Sequence, residues 1–445
     1  MRRADAAHVR FRRSAGLRLA VSGLVVAAIS LSGAACGSSS SSSSSSSTAS
    51  SSSAGTASAA GATQASQSSS GASGLSGQPI KIFVSAPVGT VYGDYPDEFT
   101  GAQAAALAIN HAGGIHGRPI QIITCNSKFD PNVTLGCGRE AVGDGVTAII
   151  DADLFDPEYL PLLAKAGIPD LAYLETPQGA VSPIVFGLNG GAYTSYPATV
   201  LALKAAGAKR LAIVRTDLAA ADYFETVMEQ AAKAVGLPVV GVVKYAGTTA
   251  DFSPTIQQLA NLHPDAVTME AGNQQSPALI STGVQQGLKV MWANQENSLL
   301  PRVAKKLGSV GNGTILTSTY PPSSASAQFP GIKQFNDEMD ALTKTGANTS
   351  VREEAGINGW LSVHAIADVA REIKGPVNSH TLLVALRAQK TPINLFGLVS
   401  WAPGSSGPAQ WPRASNPYVY VHVLENGVPV VKVTKPLNVF AQTGL

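Results

Sequence analysis

Ala108-Ile109-Asn110-His111-Ala112-Gly113-Gly114-Ile115-His116-Gly117-Arg118-Pro119-Ile120-Gln121-Ile122-Ile123-Thr124 holds a helix end, a turn and the start of a strand in one short run. Upstream, Phe99 to His111 carries Ala102, Ala105, Ala106 and Ile109 on one stripe, and Gly113-Gly114 stops that helix. Downstream, Ile120 to Thr124 is rich in β-branched residues, which suit a strand. Working outward, Ile80 to Ala86 reads as a strand, and Asp130-Pro131 opens a helix through Val142. A strand Val146 to Ile150, a helix Leu160 to Ala166 and a strand Pro169 to Tyr173 follow. This alternation with short connections predicts a parallel sheet covered on both faces.

The rhythm then repeats. Tyr196–Ala206, Tyr223–Val235, Pro254–Leu262 and Gln275–Gln286 read as helices, and Arg210–Val214, Leu237–Val243, Ala266–Met269 and Lys289–Trp292 as strands. The halves match most visibly at two helix starts, Phe129-Asp130-Pro131 and Asp251-Phe252-Ser253-Pro254, each with an acidic cap and a first-turn proline. Two similar α/β lobes are expected. Residues 322–445 add helices Gly356–Ile373 and Ser379–Ala388 and a β-like tail, Tyr418–Leu424 and Val428–Val433, which complete those lobes.

The first 77 residues read differently. Arg2, Arg3, Arg10, Arg12, Arg13 and Arg18 against Asp5 precede an apolar stretch, Leu17 to Leu31, and then Gly33-Ala34-Ala35-Cys36. This pattern predicts a signal peptide over 1–35. The apolar stretch is too short to span a membrane and is broken by Ser22, Gly23 and Ser30. Small residues before a cysteine resemble the lipobox of bacterial lipoproteins, which implies acylation of Cys36. The leucine usual at the third position before it is Gly33 here, with Leu31 two places further back. Residues 36–77, with an unbroken serine run from Ser38 to Ser47, have too little apolar area to fold and read as a flexible tether. About 40 residues of such coil reach some 30–40 Å.

Setting aside the leader's seven charges leaves 25 basic and 28 acidic residues, a net of −3. No basic stripe marks a nucleic-acid partner. Beyond Cys36 only Cys125 and Cys137 remain. An even pair in an oxidising compartment is expected as a disulfide, the alternative being two buried thiols, and no ligand spacing points to a metal. Zinc-protease, phosphate-loop and nucleophile-elbow motifs are all missing, so neither a reaction nor a cofactor is expected.

Ser85 to Ala102, the Asn-x-x-Gly-Gly-Ile-x-Gly string at Asn110–Gly117 and Phe129-Asp130-Pro131 resemble the leucine/isoleucine/valine-type periplasmic binding proteins, substrate-binding lipoproteins of ABC transporters. The resemblance spans nearly all of 78–445. It implies the type I periplasmic-binding fold, an α/β architecture of two doubly wound parallel-sheet lobes joined by three crossover segments. Lobe 1 would be 78–190 plus 321–398, and lobe 2 would be 191–320 plus 399–445. The crossovers are expected near Phe186–Ala192, Ile315–Tyr320 and Leu398–Trp401.

Ligands of open α/β sheets bind outside the carboxyl ends of the strands, here the loops Ala86–Tyr95, Asp151–Phe155, Tyr173–Thr176, Thr216–Tyr223, Glu270–Gln275 and Asn294–Asn297. The resemblance adds roles. Tyr92 matches a cleft tyrosine, Leu174-Glu175-Thr176 the stretch that holds a ligand carboxylate, and Glu296 the acid that holds a ligand ammonium. Two departures qualify it. Asp151-Ala152-Asp153-Leu154-Phe155 lacks the family's hydroxyls, and Ala219-Ala220-Ala221 lacks its tyrosine. Asp151 and Asp153 would occupy the helix N-terminus that an anionic ligand wants, so a neutral polar or cationic ligand (amide, amine or polyamine-like) stands beside an amino acid. The plainer readings are that Asp153 or Asp156 caps its helix, Tyr92 packs in its loop and Glu296 is a solvated loop acid. The expected protein is a monomeric, lipid-anchored solute receptor on the outer face of the bacterial cytoplasmic membrane, delivering to an ABC permease. A sensor of the same fold is the alternative, and an α/β hydrolase would need a nucleophile not found.

Overall fold

A computed structural model describes residues 75–90, 93–152, 156–171, 173 and 176–444. The segment expected as a signal peptide, Cys36, most of the expected tether, and Tyr92, Asp153, Leu174 and Glu175 lie outside the described residues.

The chain opens with β1 (Ile80–Ala86), α1 (Pro96–His111), β2 (Ile120–Asn126), α2 (Pro131–Gly143), β3 (Ala148–Asp151) and α3 (Asp156–Ala166). The α1–β2 turn is closed by Asn110. Its Nδ2 donates to Ile120 O at 2.9 Å, and its Oδ1 accepts the Ile120 N–H at 2.7 Å. Gly113 and Gly114 both have positive φ, and a Cβ on Gly114 would lie 2.2 Å from Arg118 O. Glycine is required there by both conformation and space. Asp130 caps α2 by accepting from Asn132 and Val133 N–H.

β1, β2 and β3 form a parallel sheet in the order β2-β1-β3. The run expected as a strand at Pro169–Tyr173 lies along β3: the Ile149 N–H donates to the Pro169 carbonyl, and the Leu171 and Tyr173 N–H groups donate to the Ile149 and Asp151 carbonyls. On its other side Asp170 pairs with Val185. A short helix, α4 (Pro177–Val181), then leads to α5 (Ala192–Ala205) and the second sheet.

That sheet is built from β4 (Leu211–Thr216), β5 (Val239–Tyr245), β6 (Ala266–Glu270), β7 (Met291–Gln295) and β8 (Ile315–Ser318), all parallel. Its helices are α6 (Asp222–Ala234), α7 (Ser253–Asn261), α8 (Gln275–Gln285) and the short α9 (Pro301–Ala304). The acid before α7 acts locally, Asp251 Oδ1 accepting the Ser253 N–H at 2.9 Å. From β8 the chain returns to the first sheet as α10 (Pro330–Thr343), α11 (Glu354–Arg371) and α12 (Ser379–Ala388), with α10 and α11 packed on α1. The hairpin β9 (Ile393–Leu395) and β10 (Val399–Trp401) contains the segment expected as the third crossover, and the passage back comes after it. β11 (Tyr418–Glu425) then pairs antiparallel with β8 and β12 (Val428–Val431) antiparallel with β11, and β13 (Leu437–Asn438) and α13 (Val439–Thr443) end the described chain. The chain therefore passes between the sheets three times. α10 was not anticipated, although Pro330 begins it and Ile332, Phe335, Met339 and Leu342 form a helical stripe that is fully buried.

Cys125 and Cys137 are disulfide-bonded, tying the end of β2 to the middle of α2. Replacing both by serine should lower the unfolding free energy by about 3 kcal/mol, the loop-closure entropy of so short a loop. Denaturant titration of the two proteins measures it. An unchanged midpoint would show that the bond contributes no net stability.

Candidate functional site

The carboxyl ends of both sheets' strands face one seam, and two helix starts from the first side meet it. α1 and α11 touch backbone to backbone. Cβ atoms on Gly101 and Gly359 would lie 2.0 Å from Gly356 O and 2.3 Å from Glu98 O. Contact this close brings the acids of both first turns together. Asp97 Oδ2 accepts the N–H groups of Glu353 and Gly356, each at 2.8 Å, so one helix caps the other. Glu98 Oε1 accepts from Asn358 Nδ2 at 3.1 Å, and Asn358 Oδ1 accepts from the Tyr320 hydroxyl at 2.8 Å. Glu354 Oε1 accepts the Thr319 N–H at 2.8 Å, just beyond β8. The Tyr173 hydroxyl donates to the Glu354 carbonyl at 3.3 Å.

The second sheet contributes the loop after β7. Glu296 is 1% exposed, and its Oε2 lies 2.5 Å from His422 Nδ1 on β11. Asn273 Nδ2 donates to Asn297 O at 3.0 Å, and its Oδ1 accepts the Leu300 N–H at 2.9 Å, pinning this loop to the one after β6. Across the seam, the Tyr95 hydroxyl donates to Asn297 O at 3.5 Å. Arg302 of α9 pairs with Asp94 and Glu353 of the first side.

Burial sets the charge state of this group. Asp97, Glu98 and Glu354 are all 5% exposed or less. Burial pushes Glu354 up to about 8, the Glu296 carboxylate adding to the effect and the Thr319 N–H opposing it. Asp97 is pushed up to about 6 by burial, against the Gly356 N–H and the Arg302 charge. Glu98 is raised well above the carboxylate range by burial, with Asp97 and Glu354 as neighbours and Asn358 opposing. Burial and the nearby acids also hold the Tyr173 and Tyr320 hydroxyls well above their ordinary range.

Of the residues singled out from sequence, Glu296 is buried against His422 and is not a solvated loop acid. Thr176 caps α4, its hydroxyl oxygen accepting the Gly179 N–H at 3.1 Å. The two are therefore held by different partners. Sequence reading missed Asp97, Glu98, Glu354 and Arg302. The signal available was an acid beside small residues at two helix starts, Glu98 before Gly101-Ala102 and Glu354 before Ala355-Gly356. A cavity of about 250 Å³ lies on the seam, lined by Glu296, Arg302, Lys305, Arg352 and Glu353 among others. A groove of about 430 Å³ between α7 and α8 lies at the amino ends of β6 and β7, away from these groups. Carboxyls, tyrosine hydroxyls and amides in a buried seam can hydrogen-bond and charge-pair a small polar molecule. Among the described residues no group of three or more His, Cys, Asp or Glu could hold a metal ion, and no helix is long and apolar enough to cross a membrane.

A family model described as periplasmic binding protein matches residues 79–410. The chain belongs to that family. This binding protein is 39% identical to the Leu/Ile/Val-binding protein of Escherichia coli (strain K12) over 67 residues, which is 15% of this chain and 17% of the relative. It is similar in fold to a substrate-binding periplasmic protein from Ralstonia solanacearum, with a TM-score of 0.67 at 18% identity, covering 79% of this chain and 99% of that one. A solute-binding protein of an ABC transporter from R. palustris, in complex with 4-hydroxybenzoate, has a TM-score of 0.66 at 18% identity, covering 81% and 97%. The type I periplasmic-binding fold expected from sequence is the fold of this chain.

Proposed function

We propose that this binding protein captures a small polar solute by closure of two lobes and hands it to an ABC-type importer. The observation that carries the reading is the convergence of both sheets' strand ends on one buried polar seam, with Tyr95 of one side bonded to Asn297 of the other. Lobe 1 is 78–190 plus the chain from 321 through the β9–β10 hairpin, and lobe 2 is 191–320 plus the chain after that hairpin. Tyr92, Asp153, Leu174, Glu175 and Thr176 line the first side, and Glu296 holds a positively charged group of the ligand. The basic, apolar and small-residue order of the leader supports export and acylation at Cys36, and the serine tether supports free movement near the membrane. Affinity comes from hydrogen bonds and charge pairs, and closure creates the surface that a permease reads.

A thermal-shift screen of the protein against amino acids, amides, amines and aromatic carboxylates tests this. A ligand at about a hundred times its Kd adds about 2.7 kcal/mol. If the hit carries an amino group, Glu296→Gln should weaken it roughly ten- to a hundredfold by calorimetry. A panel without any hit would count against solute capture, and a hit bound equally by the variant would remove Glu296 from the site.

A further inference from the structure

The geometry points to Arg302 as a latch that joins the two sides of the seam without any ligand. Arg302 begins with the second sheet's machinery, as the second residue of α9 after β7. Every acid it meets comes from the other side. Its Nη2 lies 3.2 Å from Asp94 Oδ2 and also donates to the Asp94 carbonyl, in the loop leading to α1. Its Nη1 pairs with Glu353 Oε2, while its own backbone N–H donates to Glu353 Oε1 at 2.8 Å. Both Glu353 oxygens are thus engaged by one residue across the seam, Oε2 by the guanidinium and Oε1 by the backbone N–H, while the planar guanidinium spans Glu353 and Asp94 at once.

The partner is placed where a latch would act on the hinge. Glu353 stands at the start of α11, and its N–H is held by Asp97 of α1. The next residue, Glu354, accepts the Thr319 N–H, in the segment that carries the chain from the second sheet back to the first. One turn of helix therefore receives Arg302 from the opposite side, Asp97 from its own side and Thr319 from the hinge. Arg302 is 29% exposed and borders the 250 Å³ cavity with Lys305 and Arg352, so dissolved ions reach the pair. A bridge of this exposure weakens with salt, whereas salt does not screen the buried bonds of Asp97 and Glu354 directly, so they loosen with salt only when the latch opens. The latch fixes how much of the ligand-free protein is closed, and with it how much binding free energy a ligand must supply to close the rest. This goes beyond solute capture and does not depend on which solute binds.

Hydrogen exchange of the whole protein, with no ligand added, reads the latch directly, because the Arg302 and Thr319 amides bond across the seam and at the hinge. In Arg302→Gln, peptides containing residues 302 and 319 should exchange roughly three- to tenfold faster at low salt. β2 and β5, the outermost strands of their sheets and without a bond to the latch residues, should keep wild-type rates. Raising sodium chloride from about 20 mM to about 500 mM should speed the wild-type seam toward the variant and leave the variant unchanged. Arg302→Lys, which keeps the charge and the backbone bond but loses the planar group that spans Glu353 and Asp94, should fall between them. Equal seam rates in wild type and Arg302→Gln would overturn the latch, as would acceleration spread evenly over β2 and β5. If Arg302→Gln does not fold, wild-type seam exchange that ignores salt, together with wild-type rates in Arg302→Lys, overturns it instead. Because no solute is present, failure here leaves the capture reading untouched, and a failed solute screen leaves the latch untouched.

Discussion

At pH 8, Glu354→Gln is expected to raise the unfolding free energy by about 2–4 kcal/mol, and at pH 4.5 to leave it nearly unchanged. Glu354 is pushed from 4.5 to about 8 in the folded protein, with burial as the leading cause. Between those values the folded state holds a proton that the unfolded chain has released, so stability falls as pH rises through the window and levels off above it. Asp97, pushed from 3.8 to about 6, adds a fall of the same sign at lower pH, and Glu98 is shifted in the same direction. Glutamine keeps an oxygen for the Thr319 N–H and carries no proton to lose, so it imitates the protonated acid. Wild type should therefore melt a few degrees higher at pH 5 than at pH 8, and the variant should lose most of the part due to Glu354. Calorimetric scans at three pH values check it. Wild-type stability that is flat or rising between pH 5 and 8 would show that these carboxyls are ionised when folded.

Gly101→Ala should destabilise by about 2–3 kcal/mol, while Gly136→Ala, also in a helix, should stabilise by about 0.5–1 kcal/mol. Alanine is the better helix former in both places, so propensity alone predicts the same sign. Packing separates them. At Gly101 a Cβ would lie 2.0 Å from the Gly356 carbonyl oxygen, and only a shift of α11 against α1 could relieve it. At Gly136, on the exposed face of α2, a Cβ meets nothing within 4 Å. Forcing α1 and α11 apart would also lengthen the Asp97 bonds to Glu353 and Gly356. Denaturant midpoints of the two variants give the comparison. Equal, stabilising effects would mean that the helices do not meet at Gly101.

Most of the fold was legible because its signals are local. The period of Ala102, Ala105, Ala106 and Ile109, the Asn110 to Gly117 turn, and the Asp130-Pro131 cap each act within a few residues, and each stands where the pattern placed it. α10 shows the same legibility overlooked, since its buried stripe has ordinary helical spacing. Pro169–Tyr173 is a further local signal, a strand-like run bonded along β3 through the Pro169 carbonyl and the Leu171 and Tyr173 N–H groups.

The site divides along the same line. The sequence by itself determined the strand ends that face the seam, the cysteine pair now bonded, and an acid at position 296, because strand order and loop position follow from periodicity. Only the tertiary structure decided which acids meet. Asp97 and Glu353 are 256 positions apart, Asp94 and Arg302 are 208 apart, and Glu296 and His422 are 126 apart. No local pattern records a pairing at such separations. The charges of these groups depend on burial and on neighbours delivered by three passages of the chain between two sheets, and a residue type alone carries neither.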